Sequence, residues 1–337
     1  MTNRLRYWYA LLLAAARLTM AFAQAGWQLR SQANLDLGLP RKDALTPRER
    51  RRFQHYYFGT TYLAALFCTR TGRRRNRKER YLFANLAALA CFFDDLADIF
   101  RADASSHFFE RDNLEAYGQQ TDPRGLSLHF LKNIEEHLSA VHLPPFRALL
   151  HRIFDVEVFG MRGFSPGDIN DERSFEAEKE RLVFLTAEKG GCSVLLFRRL
   201  MDLPPSEEEA TEWLAFGHLI QLCDDIFDLW HDQQAGAATL ATFFATRNDI
   251  ETLQKMFEQQ AAKLRTFSKT GRGEIEGLVA FLLAITRVCL HHYARLKKKH
   301  GTLPLHDRQA MVVDMERWSN RARAVWTLLQ IPDRAAQ

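Results

Sequence analysis

Two long uncharged runs dominate the pattern of this chain. Residues 81–93 (YLFANLAALACFF) carry no charge and lead straight into Asp94, Asp95 and Asp98. Residues 213–223 (WLAFGHLIQLC) do the same before Asp224, Asp225 and Asp228. Runs of this length, without alternation and without hairpin turn signals, predict buried helices rather than strands. Each run closes on DDxxD. On a helix, positions i and i+4 stack on one face and i+1 lies beside them, so each triplet is expected to aim its oxygens in a common direction.

The rest of the chain punctuates into further helices. An aromatic-rich segment, 48–68, follows a linker bracketed by Pro40 and Pro47, and Thr71-Gly72 marks its end. Residues 101–127 are polar and broken by Gly118, Pro123 and Gly125, which suits a loop able to close as a lid over the first acidic cluster. Helices are expected at 128–140 and 146–161, then a break at 163–168, then a helix over 172–188. Lys189-Gly190-Gly191 is expected to interrupt it before it resumes over 192–201. Pro204-Pro205 followed by Ser206 and three glutamates predicts the start of the helix that ends in the second acidic cluster. Helices near 249–268, 273–299 and 307–329 complete an all-α chain. No linker forces a split, so the expected organisation is an N-terminal amphipathic helix and linker over 1–40 and one helical domain over 41–337.

Composition narrows the class. With 47% hydrophobic and 26% charged residues the chain is globular rather than disordered, and 17 glycines and 10 prolines in 337 residues favour helix. Five cysteines, widely spaced and odd in number, predict reduced core thiols and a cytoplasmic setting, not a disulfide or zinc framework. The net charge of +5 is concentrated in two basic runs, 73–80 and 295–299. Neither run is interleaved with stacking aromatics, so nucleic acid is not expected as a partner. The start of the chain imitates a signal peptide, but Arg17 interrupts its apolar stretch. A packed amphipathic helix is expected there, with peripheral membrane contact the alternative.

Three carboxylates at the end of an apolar helix call for a cation, because buried unpaired charge is costly. Mg²⁺ suits them: it takes oxygen ligands, keeps several waters and bridges carboxylates to phosphates. A single acidic triplet could be an ordinary solvated helix end. Two, each after an uncharged run, point to facing acidic clusters with metal between them.

At these residues the chain resembles the class I isoprenoid synthase superfamily, which includes terpene synthases, trans-prenyl diphosphate synthases and squalene/phytoene synthases. Residues 217–228 (GHLIQLCDDIFD) are similar to the second aspartate-rich motif of prenyl synthases. They also resemble the second motif of squalene/phytoene synthases, to which Gln221-Leu222, Asp228 and Asp232 would correspond. Asp94, Asp95 and Asp98 look like the first motif of either branch. Lys189-Gly190-Gly191 is similar to an element that contacts diphosphate. The resemblance implies a helical bundle around a deep central cavity. It also implies Mg²⁺, with three ions expected, held by Asp94, Asp95, Asp98, Asp224 and Asp228, and a catalytic role for these together with Asp225.

Departures separate the branches. The elements with which chain-elongating enzymes hold isopentenyl diphosphate are incomplete: only Arg101 and Arg111 follow the first motif, and Ala238-Thr239-Leu240 stands where Lys-Thr-Leu is usual. The leading expectation is therefore a Mg²⁺-dependent terpene synthase that ionises a linear prenyl diphosphate. Lys189, Arg181, Arg101 and Gln221 would contact the diphosphate, and Phe93 and Tyr57, with Phe92, Phe216 and Tyr62, would line an apolar pocket for the cation. Non-aromatic Ala90 and Leu89 before the first motif imply room for a farnesyl or longer chain. The alternatives are a prenyltransferase, head-to-tail or of squalene/phytoene type; a helical dimetal pyrophosphohydrolase; and a catalytically silent partner subunit. A homodimer is left open.

Overall fold

The computed structural model describes residues 46–103, 123–157, 171–267, 274–315 and 317–334, with scattered positions between 8 and 23; over 94–103 it describes the backbone only. Helix makes up 83% of the structure and no strand occurs among the described residues, so the all-α expectation holds. The chain groups into two compact units. One comprises Met1–Ala14, Gly160–Cys192 and Thr211–Gln337, the other Ala15–Phe159 and Ser193–Ala210.

In the second of these, α1 (Pro47–Thr71) begins at a reciprocal cap: Thr46 accepts from the Glu49 backbone N–H while the Glu49 carboxylate accepts from that of Thr46. It ends where the sequence predicts, at Gly72 with φ 69°. Helix α2 (Arg77–Asp103) packs on α1 and on α3 (Pro123–His137); α4 (Leu143–Asp155) follows. The uncharged run fills the core of this unit, with Leu82, Phe83, Ala87, Cys91 and Phe92 fully buried. Phe92 stacks on Phe130, Phe93 meets Phe154 edge-on, and Phe83 leans on Phe67.

One buried carboxylate ties two connections together. The Glu79 side chain accepts from the Arg73 guanidinium and from the backbone N–H groups of Asn76 and Asp202, both at 2.9 Å. Burial works to raise its pKa, but these donors outweigh burial and hold it below the usual carboxylate range. Nearby, the buried Arg198 pairs with Glu209 at 2.7 Å and donates to the Leu203 carbonyl at 2.6 Å.

The other unit holds most of α5 (Glu172–Arg198) and α6 (Glu207–Phe227), then α7 (Leu229–Ala235), α8 (Leu240–Thr246), α9 (Ile250–Phe267), α10 (Glu274–His300), α11 (Arg308–Met311) and α12 (Trp318–Arg334). Helix α10 packs on α9 and on α12. Residues 275–300 of α10 are long and apolar enough to cross a membrane, yet 56% of that window is buried in protein, as in a core helix.

Several boundaries differ from expectation. Helix α5 runs unbroken through Lys189-Gly190-Gly191, because those glycines serve a helix crossing rather than a turn. The expected loop over 101–127 is helical at both ends, to Asp103 and from Pro123; 104–122, like the break at 163–168, lie outside the described residues. The expected helix over 307–329 is two helices, α11 and α12. At the N-terminus, Tyr9, Leu12 and Met20 are exposed where a packed apolar face was expected.

Candidate functional site

The second aspartate cluster is positioned by a close helix crossing. A Cβ on Gly190 would lie 2.2 Å from the Gly217 carbonyl oxygen, and one on Gly217 would lie 2.1 Å from that of Gly190. One on Gly191 would lie 3.0 Å from the Leu214 carbonyl oxygen. Helices α5 and α6 therefore touch backbone to backbone, which only glycine permits. The crossing brings Thr186 and Lys189 of α5 to Gln221 and Asp225 of α6.

Asp225 is 4% exposed and accepts from the Gln221 amide at 2.8 Å and the Thr186 hydroxyl at 3.4 Å. Burial pushes its pKa up to about 7; Gln221 and Lys189 oppose this and Asp224 adds to it. Asp232, in the first turn of α7, is also pushed up to about 7, by burial and then by repulsion from Asp225, Asp228 and Asp224. Asp228, although it reaches solvent, is raised by partial desolvation of its carboxyl against the pull of His231 and Lys189. The four aspartates and Lys189 thus share one electrostatic neighbourhood within one unit.

The common direction expected for the second triplet is not what forms. Asp224 and Asp228 face solvent, whereas Asp225 turns inward to Gln221 and Thr186. One residue is a rotation of about 100°, enough to separate the surface from the core. Among the described residues no three His, Cys, Asp or Glu side chains are grouped to hold a metal ion. What the structure does give is electrostatic: Asp232 is repelled by Asp225, Asp228 and Asp224, a repulsion that positive charge beside them would lessen.

The other predicted residues divide. Asp94, Asp95, Asp98 and Arg101 lie on α2, but their side chains are outside the described residues. Arg181 is paired with Glu178 at 2.7 Å on its own helix, so it is not a free cation waiting for an anion. Phe93 and Tyr57 are 8% and 3% exposed and contact Phe154 and Phe53, which makes both of them core packing of their unit. Phe92, Tyr62 and Phe216 are likewise buried.

Three residues of this unit were not singled out from sequence. Thr186 lies one turn before Lys189 and could have been found by helical spacing once α5 was known to be continuous. His218 sits on α6 with its pKa lowered to about 4, by burial and then by Lys263. Thr286 of α10 meets the Cys223 thiol at 3.0 Å behind the cluster, and the Cys289 thiol lies 3.8 Å from the Ile226 carbonyl oxygen. No known family model, curated protein or solved structure matches this chain.

Proposed function

We propose that the protein is a Mg²⁺-dependent terpene synthase of class I type, which ionises a linear prenyl diphosphate and releases diphosphate. The observation that supports this most is the gathering of Asp224, Asp225, Asp228, Asp232 and Lys189 around the α5–α6 glycine crossing. Asp224 and Asp228 would hold the metal from the exposed side. Bound Mg²⁺ neutralises charge developing on a leaving diphosphate. Lys189 supplies a cation beside the carboxylates, suited to a phosphate oxygen once the aspartates are engaged. Gln221 holds Asp225 in place. The first triplet, Asp94, Asp95 and Asp98, belongs to this proposal on its sequence pattern.

A second reading, a prenyltransferase of squalene/phytoene type, is favoured by one observation. Asp232 shares the electrostatic neighbourhood of Asp228 one helical turn away, with Gln221 upstream.

The test incubates the purified protein with Mg²⁺ and linear prenyl diphosphates from geranyl upward, with and without isopentenyl diphosphate. It measures released diphosphate and extracted hydrocarbons. A terpene synthase turns over a single diphosphate; a head-to-tail prenyltransferase needs isopentenyl diphosphate, and a squalene-type enzyme joins two identical prenyl chains. Asp224→Asn and Asp228→Asn are each expected to cut turnover about 10²–10³-fold, as loss of one transition-state electrostatic contact does. Thermal stability without Mg²⁺ should be equal or higher, because removing a charge relieves repulsion. Full diphosphate release by both variants eliminates the proposal.

A further inference from the structure

Helix α12 exposes an apolar face that no described residue of its own unit covers. Trp318 is 81%, Val325 55% and Trp326 64% exposed, and Ala322 between them is also exposed. At 100° per residue these four fall within an arc of about 100°. Ala324 points the opposite way and is buried, on a helix that packs against α10. Exposed tryptophans gathered on one helix face mark an interaction surface rather than ordinary scatter.

The charges around that face indicate its partner. Arg321 and Arg323 are exposed and flank the apolar arc, one on each side. Residues 317–332 (RWSNRARAVWTLLQIP) contain no acidic residue. Glu316 and Asp333 bracket this stretch in the sequence; the backbone carbonyl of Met315 receives the Arg321 Nε at 2.9 Å, and Asp314, ahead of the helix, lies 3.6 Å from Arg317. Tryptophan prefers the boundary between lipid headgroups and acyl chains, and flanking arginines suit anionic headgroups. A symmetric contact with a second copy would bring the same arginines against each other. A span across the bilayer is excluded by the 17-residue length of α12 and its internal arginines.

We propose that the α12 face formed by Trp318, Ala322, Val325 and Trp326 seats this protein in the plane of an anionic membrane surface, with Arg321 and Arg323 on the lipid phosphates. The proposal is independent of the reaction the protein catalyses, and it concerns a different segment from the N-terminal helix.

The test sediments the full chain with vesicles of phosphatidylcholine mixed with phosphatidylglycerol, and with phosphatidylcholine alone. Binding is expected to the mixed vesicles and to weaken with added salt. Trp318→Ser with Trp326→Ser should abolish it. Arg321→Gln with Arg323→Gln should weaken it about fivefold per residue. Both double variants replace exposed side chains, so their melting temperatures should match that of the parent. Failure of the parent chain to sediment with mixed vesicles overturns the proposal, as does undiminished binding by the tryptophan variant. A concentration-dependent dimer that the same tryptophan substitutions dissolve, without vesicle binding, assigns the face to a second copy and also overturns it.

Discussion

His218 stays neutral in the folded protein well below the pH at which a free imidazole takes its proton. Burial, helped by Lys263, lowers its pKa from 6.5 to about 4. The unfolded chain therefore binds this proton first. The folded state keeps its full advantage above about pH 6.5 and loses it progressively as the pH falls toward 4. The loss is at most about 3 kcal/mol, lessened by the part of the ring that meets solvent. Melting temperature measured across that window should fall in the parent and fall less in His218→Asn; parallel slopes would refute the assignment. The aspartates show what sequence can resolve at this scale. The DDxxD spacing placed Asp224 and Asp225 on one helix, but α6 ends at Phe227 and Asp228 is the cap residue that opens α7. The spacing could not say which side chain turns inward, because that depends on Gln221 and Thr186 as partners, and Thr186 belongs to another helix.

The crossing of α5 and α6 allows no side chain at its centre. Gly217→Ala would place a methyl about 2.1 Å from the Gly190 carbonyl oxygen, a fixed backbone atom that cannot swing aside. The helices must separate, at an expected cost of about 1–3 kcal/mol. Denaturant unfolding should show that loss, and Lys189 should move away from Asp225; an unchanged midpoint would show that the helices yield freely. This element was the least legible from sequence. A Gly-Gly pair in a helical pattern has two meanings, a break or a close approach, and only the partner helix decides between them. The helix ends were easier, since Gly72 and Ser206 act locally through a left-handed turn and a cap. Glu79 supports a different element, the pair of connections before α2 and after α5. Glu79→Ala would strip its acceptor from Arg73 and two backbone donors, and should cost about 3 kcal/mol, read as a lower melting temperature.

Across the whole molecule, helix content and the buried uncharged runs were legible because periodicity and composition act everywhere along the chain. The grouping into two units was not, since it depends on which helices pair. The cysteines add a measurable consequence at this scale. Cys68 is partly exposed, whereas Cys91, Cys192, Cys223 and Cys289 are buried, and burial pushes the last two thiols up to about 12. An alkylating reagent, which attacks thiolate, should mark Cys68 first in the native protein. The other four become reactive only when the fold opens. Cys223 of α6 and Cys289 of α10 lie directly behind the aspartates, so mass spectrometry of their labelling, site by site and without substrate, times the separation of α6 from α10. The two are expected to react together; if Cys223 reacts well ahead of Cys289, the acidic helix frays on its own, and the protein carries a clock for that event in its own thiols.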